Sequence, residues 1–452
     1  MENLEKVGGE EKGRTSEIKT VALASLIGTT VEWFDFFAYS TAAALVFGTL
    51  FFPGSDPLIG TLLAFSTLAV GYFARPVGAI VFGHFGDRIG RKTMLIISLL
   101  MMGGATFLIG LLPTYATIGV AAPILLVSLR FIQGLALGGE WGGAVLMAIE
   151  HSPRGRRGFY GSWPQTGVAL GLLLSTLIYL AVAFLPDAQF AAWGWRVPFL
   201  VSIVLVVLGL FVRLKIMETP EFARVRESQS EARLPFLDVF RNHAKEVLLT
   251  ALAYLAIGGT FYVLYSFGLS YGTTYLELER GTMLTIVSIA SVFNFFVLLL
   301  FGHLSDRLGR KRVYMAGNLL MIAGAFPMFW LINTQVFALM LLGFLLGTTG
   351  FAAAYGPMAA LFAESFETRV RYTGISLGLT IGTVAGGSLV PAIATGLLDI
   401  FDGSWPVSVY LILVGVVSAI ATALLKLQYS SEPSKTTSHK SPMDEQAEGV
   451  SN

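Results

Sequence analysis

The chain has 452 residues, of which 54% are apolar and only 13% charged, with a mean hydropathy of +0.71. Soluble domains carry about 25% charged residues, so this composition excludes a soluble globular protein and reads as an integral membrane one. A formal net charge of +1 points to neither nucleic acid nor acidic partners, and the lack of cysteine excludes disulfides and thiol chemistry without fixing a compartment.

Residues 1–19 are charged and hold no apolar core, so no cleavable signal peptide is expected there. Twelve apolar spans follow, predicted at 20–48, 58–83, 93–112, 118–149, 158–185, 194–214, 246–270, 282–302, 312–333, 335–362, 372–398 and 406–427. Runs of this length suit helices of roughly 20 residues rather than barrel strands of roughly 10. The domain reading is an N-terminal tail (1–19), a first six-helix bundle (20–214), a polar central loop (215–245), a second six-helix bundle (246–428) and a disordered tail (429–452). Within the central loop, Leu234–Phe240 reads as a short interfacial helix leading into span seven. With both termini inside, 26 of the 30 Lys and Arg residues fall on the cytoplasmic side, the pattern expected of loops in a bacterial plasma membrane.

Spans two and three are separated by Gly83-His84-Phe85-Gly86-Asp87-Arg88-Ile89-Gly90-Arg91-Lys92. The pattern returns 219 residues later as Gly302-His303-Leu304-Ser305-Asp306-Arg307-Leu308-Gly309-Arg310-Lys311. A repeat at half the chain indicates two related halves. The segment reads as a loop in which Gly83, Gly86 and Gly90 allow a tight turn. Asp87 is placed to act on the positive N-terminal end of a neighbouring helix. The basic residues Arg88, Arg91 and Lys92 also satisfy the charge rule for cytoplasmic loops, which explains neither the aspartate nor its recurrence. Asp306, Arg307 and Arg310 hold the matching positions in the second half, and these residues together are the candidate conformational gate.

Charges inside apolar spans are costly and are usually functional or paired. Span one carries Glu32 and Asp35, three residues apart and so on one helix face, with Tyr39 continuing it. Arg75 lies in span two, about 12 Å of helix rise from the loop. Span four carries Arg130, Gln133 and Glu140, and Arg196 opens span six. The plain reading is that these groups pair with one another and hold helices in register. The functional one is a carboxylate that takes a proton, with an arginine as its switch: burial disfavours the charged acid, and an arginine brought close favours it. Arg75 and Arg196 are the candidate partners of a substrate carboxylate, because a guanidinium matches both its oxygens. Gln133, Gln165, Tyr39, Tyr262, Tyr265, Asn294 and Tyr355 are further polar candidates for the binding cavity, with ordinary helix–helix hydrogen bonding as the alternative.

These residues carry a resemblance. The chain resembles the major facilitator superfamily, whose signature between helices two and three is G-x-x-x-D-R-x-G-R-[KR], here Gly83, Asp87, Arg88, Gly90, Arg91 and Lys92. Within it, the chain is similar to the metabolite:proton symporters, the group of α-ketoglutarate, shikimate, citrate and proline/betaine transporters. The matching stretches include Glu32-Trp33-Phe34-Asp35, Ala74-Arg75-Pro76-Val77-Gly78, Arg130-Phe131-Ile132-Gln133-Gly134 and Gly194-Trp195-Arg196-Val197-Pro198-Phe199. The resemblance implies an all-α integral membrane fold of twelve transmembrane helices in two pseudo-symmetric six-helix bundles, working by alternating access. It also implies proton coupling through the positions of Asp35 and Arg130, substrate handling by those of Arg75 and Arg196, and a loop aspartate that pins the outward-facing state by a charge–dipole contact with the second bundle. One departure argues against α-ketoglutarate itself: that carrier has a histidine two residues before the Arg-Pro, where this chain has Phe73.

The function expected is a proton-coupled symporter that imports a small carboxylate, with protons, the substrate and the lipid bilayer as partners, no nucleic acid, a monomer as the working unit, and no cofactor beyond the proton gradient. A zwitterionic osmolyte such as proline or betaine is the alternative cargo. Drug efflux is disfavoured because span five lacks a G-P-x-x-G-G pattern, and a receptor that moves nothing because the cavity charges are kept. With no metal-spaced cluster or nucleotide loop, and all five histidines in loops or tail, an enzyme is not expected.

Overall fold

The structure is a computed structural model; it describes residues 25–54, 56–89, 91–137, 152, 155–216, 241–367 and 370–427. Ten described helices are long and apolar enough to cross a membrane, and two shorter apolar ones complete a set of twelve. They are α1 (Ser25–Phe51), α2 (Pro57–Ile89), α3 (Arg91–Leu111), α4 (Ala121–Leu137), α5 (Arg157–Ala183), α6 (Val197–Ile216), α7 (Ala244–Tyr275), α8 (Arg280–Leu308), α9 (Arg310–Ile332), α10 (Phe337–Glu364), α11 (Thr373–Phe401) and α12 (Trp405–Leu424). Large apolar side chains stay exposed on the outer faces, among them Val204, Val207 and Phe211 of α6 and Leu413, Ile420 and Leu424 of α12. Lipid is as apolar as these side chains, so exposing them there costs nothing. The N-terminal tail, the interfacial segment at 234–240 and the tail from 429 lie outside the described residues, as does Glu140.

One expectation needs correction: the repeated motif is not a loop. Helix α2 runs on through Gly83, Gly86, Asp87 and Arg88 to Ile89, and α3 begins at Arg91 with Lys92 next; Gly90 lies outside the described residues. In the second copy, α8 continues to Leu308 and α9 starts at Arg310, so Gly309 alone makes the turn, at φ +94°. Polar side chains mark where the chain leaves the apolar layer, but they do not stop a helix whose N–H groups still find carbonyls four residues back. The stop is the positive φ, which glycine adopts without strain.

The two bundles, α1–α6 and α7–α12, meet along α5 and α8, which pack closely where Gly158 faces Gly302. A Cβ on Gly158 would sit 2.6 Å from the Gly302 carbonyl oxygen, and one on Gly302 would sit 2.7 Å from Ser162 Cβ. Contact continues along the pair to Ser288, whose hydroxyl donates to Thr176 Oγ1 at 3.3 Å. A second seam joins α1 to α7, through Ser40 and Ser266 (2.6 Å between hydroxyls). Single π-helical turns interrupt α1 at Ala43–Phe47, α7 at Val263–Phe267 and Tyr271–Tyr275, and α11 at Val384–Ser388. Such turns concentrate at functional sites, and here the first two flank the α1–α7 seam.

Candidate functional site

The aromatic run of α1 sets the centre of the molecule. Trp33, Phe36 and Phe37 pack edge-on or tilted against Phe261 and Tyr262 of α7, with ring centroids 5.7–6.3 Å apart. That packing carries Asp35, on the opposite side of the same turn, into the first bundle, where it is 2% exposed. Its neighbours there are Arg130 and Thr106. Arg130 Nη1 donates to Gln133 Oε1 (3.0 Å), and Gln133 Nε2 donates to Thr106 Oγ1 (2.7 Å). The Thr106 hydroxyl in turn donates to the Met102 carbonyl (2.9 Å), and neither Asp35 oxygen accepts a hydrogen bond. The Arg130 guanidinium lies over the rings of Tyr39 (4.6 Å) and Phe36 (5.1 Å), so aromatic faces hold the cation in place of a carboxylate. Tyr39 closes the group with a 2.5 Å hydrogen bond to Thr67 of α2. Glu32, one turn before Asp35, is only half-buried and lies within electrostatic reach of Asp35 and Tyr355.

Beside this group stands a tyrosine cluster that spans both bundles. Arg75 is half-buried, with its guanidinium 4.2 Å over the ring of Tyr72, one turn earlier on the same face of α2. The Tyr72 hydroxyl is hydrogen-bonded to that of Tyr262 on α7. Tyr254 and Tyr262 lie within electrostatic reach of Arg75, and Tyr355 of α10 within reach of Tyr254, Tyr72 and Glu32. Tyr265 is turned to Thr348 of α10, hydroxyl to hydroxyl at 2.8 Å. Gln165 of α5 and Asn294 of α8 are both buried, and no atom of either amide finds a partner. Two buried amides without partners among the described residues are costly.

At the end of the bundle that carries the repeated motif, Asp306 accepts from the backbone N–H groups of Gly158 (2.8 Å) and Phe159 (2.9 Å). These are among the first N–H groups of α5, which the helix itself leaves unpaired. Arg310 lies 3.4 Å from Asp306 and pairs with Glu364 at the end of α10, all three side chains being at most 8% exposed. Arg307, in the last turn of α8, is exposed. A charge–dipole contact is thus made by the second-copy aspartate, Asp306, from the second bundle onto the first, whereas the one expected onto the second bundle falls on the side chain of Asp87, which lies outside the described residues. At the opposite end, Arg280 of α8 bonds Asp187 (2.8 Å) and the Leu185 carbonyl (3.2 Å), and lies over the ring of Phe190. Both ends of the α5–α8 seam are therefore fastened.

The sequence candidates divide accordingly. Asp35, Arg130, Gln133 and Tyr39 form one group, and Glu32, Arg75, Tyr262 and Tyr355 border the tyrosine cluster. Arg196 stands apart: its guanidinium donates to the carbonyls of Leu112 (2.9 Å) and Ala192 and stacks on Trp195, fastening helix ends in the first bundle. Sequence reasoning missed Tyr72, Tyr254 and Thr106. Tyr72 is legible from its place three residues before Arg75, whereas Thr106 carries no signal within its apolar run.

Comparison with known proteins agrees with this architecture. The profile of the Major Facilitator Superfamily matches residues 25–377 and, overlapping it, 273–449. The shikimate transporter of Escherichia coli K12 is 41% identical over 416 residues, covering 91% of this chain and 95% of its own. The inner membrane metabolite transport protein YhjE of the same strain is also 41% identical, over 89% and 93%. The E. coli K12 proline/betaine transporter is 33% identical over 90% and 83%. Among solved structures, the inward-open xylose transporter XylE from E. coli superposes with a TM-score of 0.71 at 19% identity, over 92% of this chain and 98% of that one; at that identity the likeness speaks for the fold.

Proposed function

The chain belongs to the major facilitator superfamily, a family of membrane transporters, and on that premise we propose that it imports a small organic acid together with protons. The observation that carries the reading is the placement of Asp35. A carboxyl group taken from water and given no hydrogen-bond donor is unfavourable unless a proton or a counter-charge accompanies it. Arg130 is the counter-charge at hand, and it is held on Gln133 and two aromatic rings instead. In this reading Asp35 and Arg130 alternate between two arrangements, one with the proton and one with the arginine, which is what coupling requires.

Arg75 is the group proposed for the substrate carboxylate. It lies at the border of the bundles, its charge satisfied by an aromatic face rather than by an acid. Gln165, Asn294 and the hydroxyls of Tyr262 and Tyr355 would meet the remaining polar groups of a hydroxylated acid, in keeping with the shikimate transporter among the relatives. The motif end is proposed to face the cytoplasm of a bacterial cell, with Asp306, Arg310 and Glu364 as its gate, and a single chain as the transporting unit. A second reading, a betaine-like zwitterion, draws on the aromatic residues Trp33, Phe36, Phe261 and Tyr262 around the centre, since such rings hold quaternary ammonium groups, and on the proline/betaine relatives.

Counterflow in proteoliposomes separates the two. With a panel of shikimate, citrate, succinate, proline and betaine, exchange of an acid that is lost in Arg75→Ala supports the first reading. Exchange confined to betaine or proline supports the second. Acid exchange undiminished by Arg75→Ala contradicts the role given to that residue.

A further inference from the structure

Between Asp35 on α1 and Arg130 on α4 the structure places two uncharged side chains, Thr106 and Gln133, in a continuous chain of hydrogen bonds that stops short of the carboxyl group. Arg130 gives Nη1 to Gln133, Gln133 gives its amide N–H to Thr106, and Thr106 gives its proton to the Met102 carbonyl of its own helix. Thr106 is 0% and Gln133 1% exposed, so neither exchanges partners with solvent. We infer that Thr106 is a positioning residue of the coupling site, and that its hydroxyl, acting through Gln133, decides whether Arg130 is held away from Asp35 or released to it. The inference rests on the reading that Asp35 carries the coupled proton.

The argument is one of counting donors. Thr106 has one hydroxyl proton. A neutral Asp35 makes little demand on it, and the proton goes to the carbonyl four residues back, a local bond that helical threonines form readily. That carbonyl keeps its helical N–H when the hydroxyl turns away, so little is lost by the change. A charged Asp35 does demand donors, and bonds to an ionised acceptor are about twice as strong as neutral ones. In this proposal the hydroxyl follows a charged Asp35 by moving to another staggered well, and Oγ1 leaves Gln133 Nε2 as it does so. Gln133 then loses the contact that fixes its amide, and with it the hold of Oε1 on Arg130. Loss of the proton at Asp35 so becomes release of the arginine, and arrival of the arginine completes the pair. In the reverse direction, protonation of Asp35 returns the hydroxyl to Met102 and rebuilds the clamp.

The other ionisable groups that face these two are Glu32, on the same helix as Asp35, and, around Arg130, Tyr39 of α1, Tyr72 and Arg75 of α2 and Tyr262 of α7. The four around Arg130 bond elsewhere: Tyr39 is bonded to Thr67, Tyr72 and Tyr262 to each other, and Arg75 lies over Tyr72. The relay is therefore separable from them by substitution.

The test needs no knowledge of the substrate. In the full-length protein in lipid, the infrared carboxyl band that disappears in Asp35→Asn is titrated against pH. Thr106→Val, which keeps the shape and removes the hydroxyl that anchors Gln133, frees Arg130 to reach Asp35 and should move the midpoint of that band by about one pH unit toward acid, a tenfold change in proton affinity, and Thr106→Ser should restore it. Gln133→Leu, which frees Arg130 while leaving the hydroxyl, should move the midpoint the same way. A hydroxyl that served only as a donor to Asp35, with no relay through Gln133, would give an alkaline shift in Thr106→Val, and that result overturns the inference. An Asp35 band with the same midpoint in Thr106→Val and Gln133→Leu as in the wild type overturns the relay and leaves proton coupling at Asp35 standing. If no band depends on Asp35, the coupling reading itself fails. Should Thr106→Val not fold, the sign of the Gln133→Leu shift decides.

Discussion

Asp306→Asn should open the motif end of the α5–α8 seam. The carboxylate accepts two backbone N–H groups at the start of α5, at 2.8 and 2.9 Å, from a side chain that is 4% exposed. Hydrogen bonds to a charged acceptor contribute about 1.5–3 kcal/mol, against about 0.5–1.5 for neutral ones. The amide keeps one acceptor oxygen, loses the second, and removes the favourable charge at the helix N-terminus, worth about 0.3–1 kcal/mol. The low end of that sum is about 2 kcal/mol, or about a 30-fold change in the ratio of closed to open forms at 1.4 kcal/mol per decade. The chain has no cysteine, so Gly155→Cys with Leu308→Cys, both exposed positions beside the seam, accept a spin-label or fluorophore pair without background. The distance distribution should gain a long component in Asp306→Asn. A distribution unchanged from that of the wild type, in protein that is folded, would refute the reasoning.

Other substitutions probe the same frame. Gly158→Ala places a methyl group 2.6 Å from the Gly302 carbonyl and 2.4 Å from Ser305 Oγ; the carbonyl cannot yield as a side chain can, so the same label pair should again report opening. At the opposite end, Asp187 is 92% exposed, and an ion pair that exposed contributes at most about 1 kcal/mol. Asp187→Asn should therefore leave counterflow within about twofold of wild type. Arg280→Ala, which also removes the bond to the Leu185 carbonyl and the cover of Phe190, should change it more; equal effects of the two would place the latch in the ion pair alone.

Much of the fold was legible because hydropathy reports the layer a residue occupies. The span predicted at 158–185 is α5 at Arg157–Ala183, and the one at 406–427 is α12 at Trp405–Leu424. It failed where leaving the layer and ending the helix are different events, at Gly302–Leu308, because helix termination is a backbone property set here by Gly309. The partner of Asp306 was beyond reach for another reason: its acceptor bonds go to backbone N–H groups 147 and 148 residues away, and backbone groups leave no trace in residue identity. The contacts of Arg196 were beyond reach on the same ground, since what it touches is mainly carbonyl oxygen. Charges inside apolar runs, by contrast, announce themselves, as Asp35 and Arg130 do, although the contact of Arg130 with Gln133 comes from the structure. Thr106 looks like any threonine of a membrane helix until the atoms around its hydroxyl are known.

Proton coupling at Asp35 is tested most directly by following external pH in a weakly buffered suspension of proteoliposomes while a carboxylate is added. The account predicts alkalinisation with wild-type protein, and none with Asp35→Asn even though that variant still exchanges the same carboxylate in counterflow. Alkalinisation by Asp35→Asn equal to that of the wild type would contradict it and move the coupling proton elsewhere in the chain.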